Sequence, residues 1–111
     1  MTSKYPLTES GRATANASGI ATVEMRSAIS GEWWRIKSTS ISGNSALEPQ
    51  AKIYKGFVSE SALIGGSASG NLDSGYGDDL IEPGVAVIVQ WTQATAGAQF
   101  TATIQGERWR G

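Results

Sequence analysis

The sequence predicts an all-β fold: a single antiparallel β-sandwich, or jelly-roll-like, domain of about six to eight strands. Three observations lead to this prediction. The chain has 111 residues, which is enough for one domain. Its 14 glycines are spread along the whole chain and mark frequent turns. Apolar residues alternate with polar ones in several short stretches, whereas no stretch shows the spacing that an amphipathic helix needs.

Five stretches alternate in this way, and each is predicted to be a strand with one face in the core. In chain order they are GIATVEMRS, EWWRIKSTSIS, QAKIYKGFVS, VAVIVQWTQ and AQFTATIQGE. The side chains expected to face the core are Ala21, Val23, Met25, Trp34, Ile36, Ala51, Ile53, Phe57, Val85, Val87, Val89, Trp91, Phe100, Ala102 and Ile104. Ala86 and Ile88 lie on the reverse face of the fourth stretch, which favours a central strand covered on both sides.

Two turns frame the C-terminal strands. Glu82-Pro83-Gly84-Val85 fits a type II turn, because proline presets φ at the second position and glycine accepts a positive φ at the third. ATAGA, before the last strand, has the length of a hairpin loop, and Gly97 can take a positive φ there. The C-terminal third is therefore predicted as turn, strand, hairpin and strand.

The two ends of the predicted 1–111 domain lie outside these strands. We expect residues 1–18 to form an extended N-terminal arm and residues 107–111 to form a docking tail. MTSKYPLTES lacks the apolar core of a signal peptide, so export by the general secretory route is not expected.

Composition excludes several kinds of chemistry. Histidine and cysteine are absent, so the chain can form no Ser-His or Cys-His nucleophile pair, no conventional zinc site and no disulfide. Asp78 and Asp79 are adjacent in sequence, but a glycosidase needs two carboxyl groups facing each other across a cleft. We therefore expect a protein that is not an enzyme and that carries no cofactor.

Charge and hydropathy also limit the kinds of partner that we expect. The formal charge is −1, with 9 basic and 10 acidic residues scattered along the chain, which gives no field that would attract nucleic acid. The longest wholly apolar run is VAVIV, far short of the ~20 residues that span a bilayer. Neither a nucleic acid nor a membrane is an expected partner.

The stretch GNLDSGYGDD, residues 70–79, combines three aspartates, one asparagine and three glycines. It favours a bend in which Asn and Asp side chains bond the local backbone. A calcium loop is the minority alternative, with oxygens from Asn71, Asp73, Asp78 and Asp79, although the spacing does not match an EF-hand. Direct recognition of a partner is the third interpretation.

Two tryptophan features are candidate interface sites. Consecutive strand residues face opposite sides, so Trp34 is expected in the core and Trp33 on the outer face beside Arg35. There Trp33 is either covered by the chain itself or contacts another subunit. The C-terminal GERWRG places Trp109 between Arg108 and Arg110. That tryptophan either packs on its own domain or docks on a neighbouring subunit, with the arginines pairing to acidic residues there.

The C-terminal half resembles a known class of protein. The run IYKGFVSESALIGGSASGNLDSGYGDD, then LIEPGVAVIVQW, then TQATAGAQFTATIQGER, resembles small all-β virion proteins of tailed bacteriophages, particularly those of actinobacterial hosts. The resemblance covers residues 53–108 and consists of turns and strand faces. It implies that Asn71 and Asp73 hold the backbone of a framework loop before the Pro83-Gly84 turn, with Asp78 and Asp79 solvated.

This resemblance implies a structural protein of the virion, made in the host cytoplasm. The expected role is a capsid decoration protein that binds the lattice of the major capsid protein, or another virion protein, in many copies. A homo-oligomer is expected, with a trimer as the working assumption. The alternative is a minor tail or fibre component in which Trp33 or Tyr76 stacks on a host glycan. A free carbohydrate-binding domain unrelated to virions is the third hypothesis.

Overall fold

The computed structural model describes residues 3–67 and 69–110. The strands are β1 Tyr5–Thr14, β2 Ala21–Met25, β3 Glu32–Gly43, β4 Gln50–Lys55, β5 Leu63–Ser67, β6 Leu72–Ile81, β7 Val87–Thr92 and β8 Gln99–Arg110. A 3-10 turn, Glu60–Ala62, lies between β4 and β5. Nowhere in these two ranges is a helix long and apolar enough to cross a membrane.

The strands form two antiparallel four-stranded sheets. The first sheet has the order β1-β8-β3-β6, and the second sheet has the order β2-β7-β4-β5. The first strand pairs with the last, the second with the seventh, the third with the sixth and the fourth with the fifth. This nested pairing is the order of a jelly roll. The predicted all-β sandwich is therefore confirmed.

The main core lies between the two sheets, and its large members are the side chains that the alternation predicted. Trp34 of β3, Trp91 of β7 and Phe100 of β8 are almost fully buried. The rings of Trp91 and Phe100 stack across the core with centroids 4.8 Å apart. The predicted inward faces of β2, β3, β7 and β8 are confirmed.

A second, smaller cluster covers the outer face of β7. Ala86 and Ile88 are buried there with Tyr54 of β4, and Ala62 packs against them. The chain between β4 and β5 thus supplies part of this cover. The prediction of a central strand covered on both faces is confirmed.

The third predicted strand ends earlier than expected. β4 stops at Lys55, and Phe57 and Val58 are exposed rather than packed. Gly56 has a φ of 90° and its N–H bonds to the carbonyl of Ala86, so the chain turns away from the sheet at that point. The expectation that Phe57 faces the core was wrong.

The N-terminal segment is part of the first sheet. Residues 5–14 form β1, which pairs with β8 over its whole length, so the expectation of an arm was wrong for these residues. The inward positions of β1 include glycine, and this hides the alternation in the sequence. A side chain on Gly11 would collide with Val23, so the two sheets approach closely there. Met1, Thr2 and Gly111, the outermost residues of the predicted arm and tail, lie outside the described residues, as does Ala68.

The stretch GNLDSGYGDD is also a strand for most of its length. Strand β6 runs from Leu72 to Ile81 and pairs with β3, so the expectation of a bend was wrong. Turn-forming residues are tolerated here because β3 supplies the hydrogen bonds and most of β6 is exposed at the edge of the sheet.

Candidate functional site

Trp33 and Trp109 come together on the outer face of the first sheet. They are directly opposite each other on β3 and β8. Their rings are parallel within 7°, with centroids 6.5 Å apart. Trp34, the next residue of β3, is buried in the core, so Trp33 necessarily points outward. Both rings of the pair are half-buried.

A lysine lies beside this pair. The ammonium nitrogen of Lys4 is 5.2 Å from the centroid of the Trp109 ring, which is within the range of a cation–π contact. The same nitrogen is 3.7 Å from Oε2 of Glu107. Residues Glu107–Arg110 are the end of β8 and pair with β3, so they do not form a separate tail.

A shallow depression adjoins Trp109 at the end of the sandwich. Its volume is about 370 Å³, and Tyr5, Ile29 and Arg110 line it together with Trp109. Tyr5 is 58% exposed and Ile29 is 41% exposed. We call the following residues at this end of the first sheet the aromatic end patch: Lys4, Trp33 and Trp109 on the outer face, and Tyr5, Ile29 and Arg110 around the depression at the end of the sandwich.

A buried carboxylate supports the patch from below. Glu32 is 6% exposed and accepts hydrogen bonds from Ser27 Oγ at 2.6 Å and from Trp34 Nε1 at 2.8 Å. Arg108 Nη1 lies 4.0 Å from its other oxygen. Burial alone raises the pKa of Glu32, but the hydrogen bonds and the charges of Arg108 and Arg110 outweigh it and hold the pKa below its ordinary value.

Arg35 is engaged within the chain. Its Nη1 is 2.9 Å from Oδ1 of Asp78, and Lys37 Nζ is 3.4 Å from the same oxygen. These groups bring a positive field to Asp78, so its pKa is lowered, chiefly by the hydrogen bond from Arg35. The register of β3 shifts by one residue at Lys37, opposite Gly106, where any side chain would collide with the backbone of Arg35. Arg35 therefore lies on the same outer face as Trp33, two residues along β3, and is paired there with Asp78.

Asn71 and Asp73, the residues predicted to hold the framework loop, lie away from the aromatic end patch. Asn71 accepts a hydrogen bond from Ser45 N and donates one to Ser45 O, both at 2.9 Å, so it connects two loops at the opposite end of the sandwich. Asp73 accepts hydrogen bonds from Ser67 Oγ and Ser74 N.

The turn before β7 has the geometry of a type II turn. Val85 N donates to Glu82 O at 3.2 Å, and Gly84, after Pro83, has a φ of 81°.

The minority calcium interpretation does not fit this geometry. Asp73 and Asp79 are six positions apart on an extended strand, a span of about 20 Å. Asp78 points to the outer face, where Arg35 and Lys37 neutralise it. Within residues 3–67 and 69–110, no group of three acidic side chains is placed to hold a metal ion.

The aromatic end patch can stack on a flat surface and can donate hydrogen bonds from its cations. Its one buried carboxylate, Glu32, is held ionised by hydrogen-bond donors, which suits pairing with arginine rather than proton transfer. The contributions of Lys4, Tyr5 and Glu32 were missed in the sequence because no motif surrounds them. The juxtaposition of Trp33 with Trp109 depends on the strand register, which the sequence does not specify.

Fold and site together define a class: an eight-stranded jelly-roll sandwich with a partly exposed aromatic and basic surface at one end. No protein-family model matches the chain, and no curated protein gives a significant sequence match.

Proposed function

We propose that this chain is a non-enzymatic assembly protein that docks on a larger protein surface through the aromatic end patch. The stacked pair of Trp33 and Trp109 on the outer face of the sheet carries the proposal. Tryptophan and arginine are the residues most enriched among those that dominate binding energy at interfaces.

The rest of the same outer face shows why this pair is unusual. Farther along β8 the outward residues are Thr101, Thr103 and Gln105, which is ordinary for a solvated β face. The two tryptophans do not contribute to the core between the sheets. Two large aromatic side chains in place of such polar residues are best used by a partner that covers them.

The resemblance of the C-terminal half to phage virion proteins supports a partner within the virion. We propose a capsid decoration protein that binds the lattice of the major capsid protein, in the virion, as a homo-oligomer. A small contact surface is sufficient for this role, because many weak contacts repeated over a shell gain strength by avidity.

A second candidate function has its own observation. Tyr76 on β6 is 95% exposed, and the tryptophan pair offers a second flat surface. A tail or fibre component that binds a host glycan would use such rings to stack on sugar. This alternative places the binding residues at Tyr76 as well as at the patch.

The test is to mix the purified chain with capsids assembled without it and to image them by electron microscopy. We expect density at repeated lattice positions, lost on Trp109→Ala but kept on Tyr76→Ala, which removes an aromatic ring outside the patch. A monomer of Trp109→Ala that no longer folds, or one that binds normally, would contradict docking through this residue.

If density appears only at the tail, a glycan array decides between the two functions. Binding lost on Tyr76→Ala or Trp33→Ala would support the glycan alternative. No binding to capsid, tail or glycan would overturn both candidate functions.

A further inference from the structure

A groove opens between the two sheets along the edge formed by β5 and β6. Its volume is about 290 Å³. Apolar side chains of the core line it, among them Ile36, Ile41 and Ile53. Strand β6 supplies one wall through Asp73, Gly75, Gly77 and Asp79, whereas Asp78 points to the other face of the sheet. The opposite edge of the sandwich, between β1 and β2, is closed by the close approach at Gly11.

The groove exists because β6 carries no apolar side chain on its inner face until Ile81. The inward positions before Ile81 are Asp, Gly, Gly and Asp. A Cβ added to Gly75 would meet no atom within 4 Å, so there is space for a side chain that the chain does not provide, whereas a Cβ on Gly77 would lie 3.2 Å from a carboxylate oxygen of Asp79, which borders the space there. Two small apolar side chains from another segment, opposite Gly75 and Gly77, would fill this space.

Strand β6 is also an unpaired edge. It ends the first sheet, and its residues Leu72–Asp78 are all exposed. Strand β6 is ten residues long and contains neither lysine nor proline; the features that limit pairing at its edge are a register shift opposite Lys37 and the inward-pointing carboxylates of Asp73 and Asp79, which a segment with basic residues would neutralise. Its outer backbone N–H and C=O groups are therefore available to an added strand.

The carboxylates of β6 determine which kind of segment can bind beside it. Asp78 is neutralised by Arg35 and Lys37, whereas Asp73 and Asp79 have no ion pair within the described ranges. A second copy of β6, added antiparallel about Tyr76, would place Asp73 opposite Asp79 of the copy, and like charges opposite each other destabilise a sheet. A segment with lysine or arginine at these positions would be favoured instead.

We propose that the groove binds an extended segment of another protein, which adds beside β6 as a fifth strand of the first sheet. The segment carries small apolar residues at two alternate positions, over Gly75 and Gly77. Lysine or arginine flanks them, next to Asp73 and Asp79. Main-chain hydrogen bonds to β6 provide affinity, and the side-chain pattern provides specificity. This surface is separate from the aromatic end patch and does not depend on its function.

The test uses a capped peptide, Lys-Thr-Val-Thr-Val-Thr-Lys, titrated into the full-length 15N-labelled chain and followed by NMR. Its lysines are spaced like Asp73 and Asp79, and its valines lie between them on the same face. We expect saturable amide shifts confined to β5, β6 and the facing part of β3. The control peptide, Glu-Thr-Val-Thr-Val-Thr-Glu, should bind at least tenfold more weakly.

Two variants with a matched control localise the binding. Gly75→Val places the missing side chain in the groove and should weaken binding at least tenfold. Asp79→Asn should weaken it several-fold, whereas Asp78→Asn, one residue away on the outer face, should leave it unchanged within twofold. A thermal melt of each variant checks the fold; if Gly75→Val does not fold, the comparison of Asp79→Asn with Asp78→Asn decides.

Three results would overturn the proposal. The first is the absence of shifts at millimolar peptide. The second is equal binding of the basic and acidic peptides, or shifts centred on the aromatic end patch. The third is a concentration-dependent dimer of the chain with shifts in β6, which would mean that a second copy occupies the edge.

Discussion

The two ends of the sandwich are built from different chemistry. At one end, polar side chains join the loop between β3 and β4 to the loops between β5 and β6 and between β7 and β8, and backbone hydrogen bonds join the loop between β1 and β2 to the last of these; we call this the amide end. Asn71 bonds both backbone groups of Ser45, and Thr95 Oγ1 accepts from the N–H groups of Ala46 and Leu47. The opposite end carries the aromatic end patch.

This difference separates structural from contact roles. At the amide end, side-chain oxygens and nitrogens satisfy the backbone groups that the loops cannot pair, so these polar groups are used within the fold. At the aromatic end, rings and cations remain partly exposed. We infer that substitutions at the amide end change stability, whereas substitutions in the aromatic end patch mainly change binding.

The largest effect is expected for Asn71→Ala. It removes both hydrogen bonds to Ser45, which is only 8% exposed, and leaves buried backbone groups without partners. We expect the free energy of unfolding to fall by about 2–3 kcal/mol. Urea denaturation measures this loss. Docking or glycan binding at the aromatic end should be unchanged in the folded fraction, and a stability within error of wild type would contradict the structural role of the amide end.

An intermediate effect is expected for Glu32→Gln, beneath the aromatic end patch. The carboxylate accepts from Ser27 and Trp34 and faces Arg108, so losing its charge should cost about 1–2 kcal/mol at neutral pH. The side chain remains similar in size, which keeps the core packed.

This substitution also predicts a change in pH dependence. The pKa of Glu32 is lowered from 4.5, so the unfolded chain binds the proton more tightly, and the stabilisation is present above pH 4.5. It is lost as the pH falls through the lower pKa of the folded state. Denaturation curves of wild type and Glu32→Gln should therefore converge in acid. A difference between them that is constant from neutral to acid pH would contradict this role.

The strands that the sequence revealed have an apolar side chain at most inward positions. On β2, β3 and β8 the outward positions are mostly polar, so the period of two is visible, whereas β7 is a continuous apolar run because both of its faces are covered. β1 and β6 were missed since their inward positions include Gly11, Gly75 and Gly77, which make no apolar pattern. At β1 the glycine allows close approach of the sheets, and at β6 the edge is open.

The candidate site was predictable only in part. Alternation along β3 places Trp33 outward, but its contact with Trp109 depends on the pairing of β3 with β8, which joins residues far apart in sequence. Arg35 follows the same alternation. Its pairing with Asp78, however, depends on the edge strand β6, whose glycine- and aspartate-rich composition predicted a loop. Residue type thus indicates which groups face outward, whereas register decides which of them meet.

A smaller effect is expected for the tryptophan pair. Trp33→Ala and Trp109→Ala should each cost about 1 kcal/mol of stability, and a double-mutant cycle should give a coupling of about 0.5–1 kcal/mol from the stacked rings. Near-ultraviolet circular dichroism should lose the signal of the stacked pair in either variant. Additive losses without coupling would show that the rings do not stack in solution.

The smallest effect is expected for Asp78→Asn. The carboxylate is 59% exposed, and solvent screens its ion pairs with Arg35 and Lys37. Its folded-state pKa is lowered, so any stabilisation that it provides is present above its ordinary value of 3.8 and is lost in acid. At neutral pH and physiological salt, we expect a melting temperature within error of wild type. A clear loss that disappears in high salt would instead mean that Asp78 fixes the junction of β3 and β6, and that the outer face contributes to stability beyond the amide end.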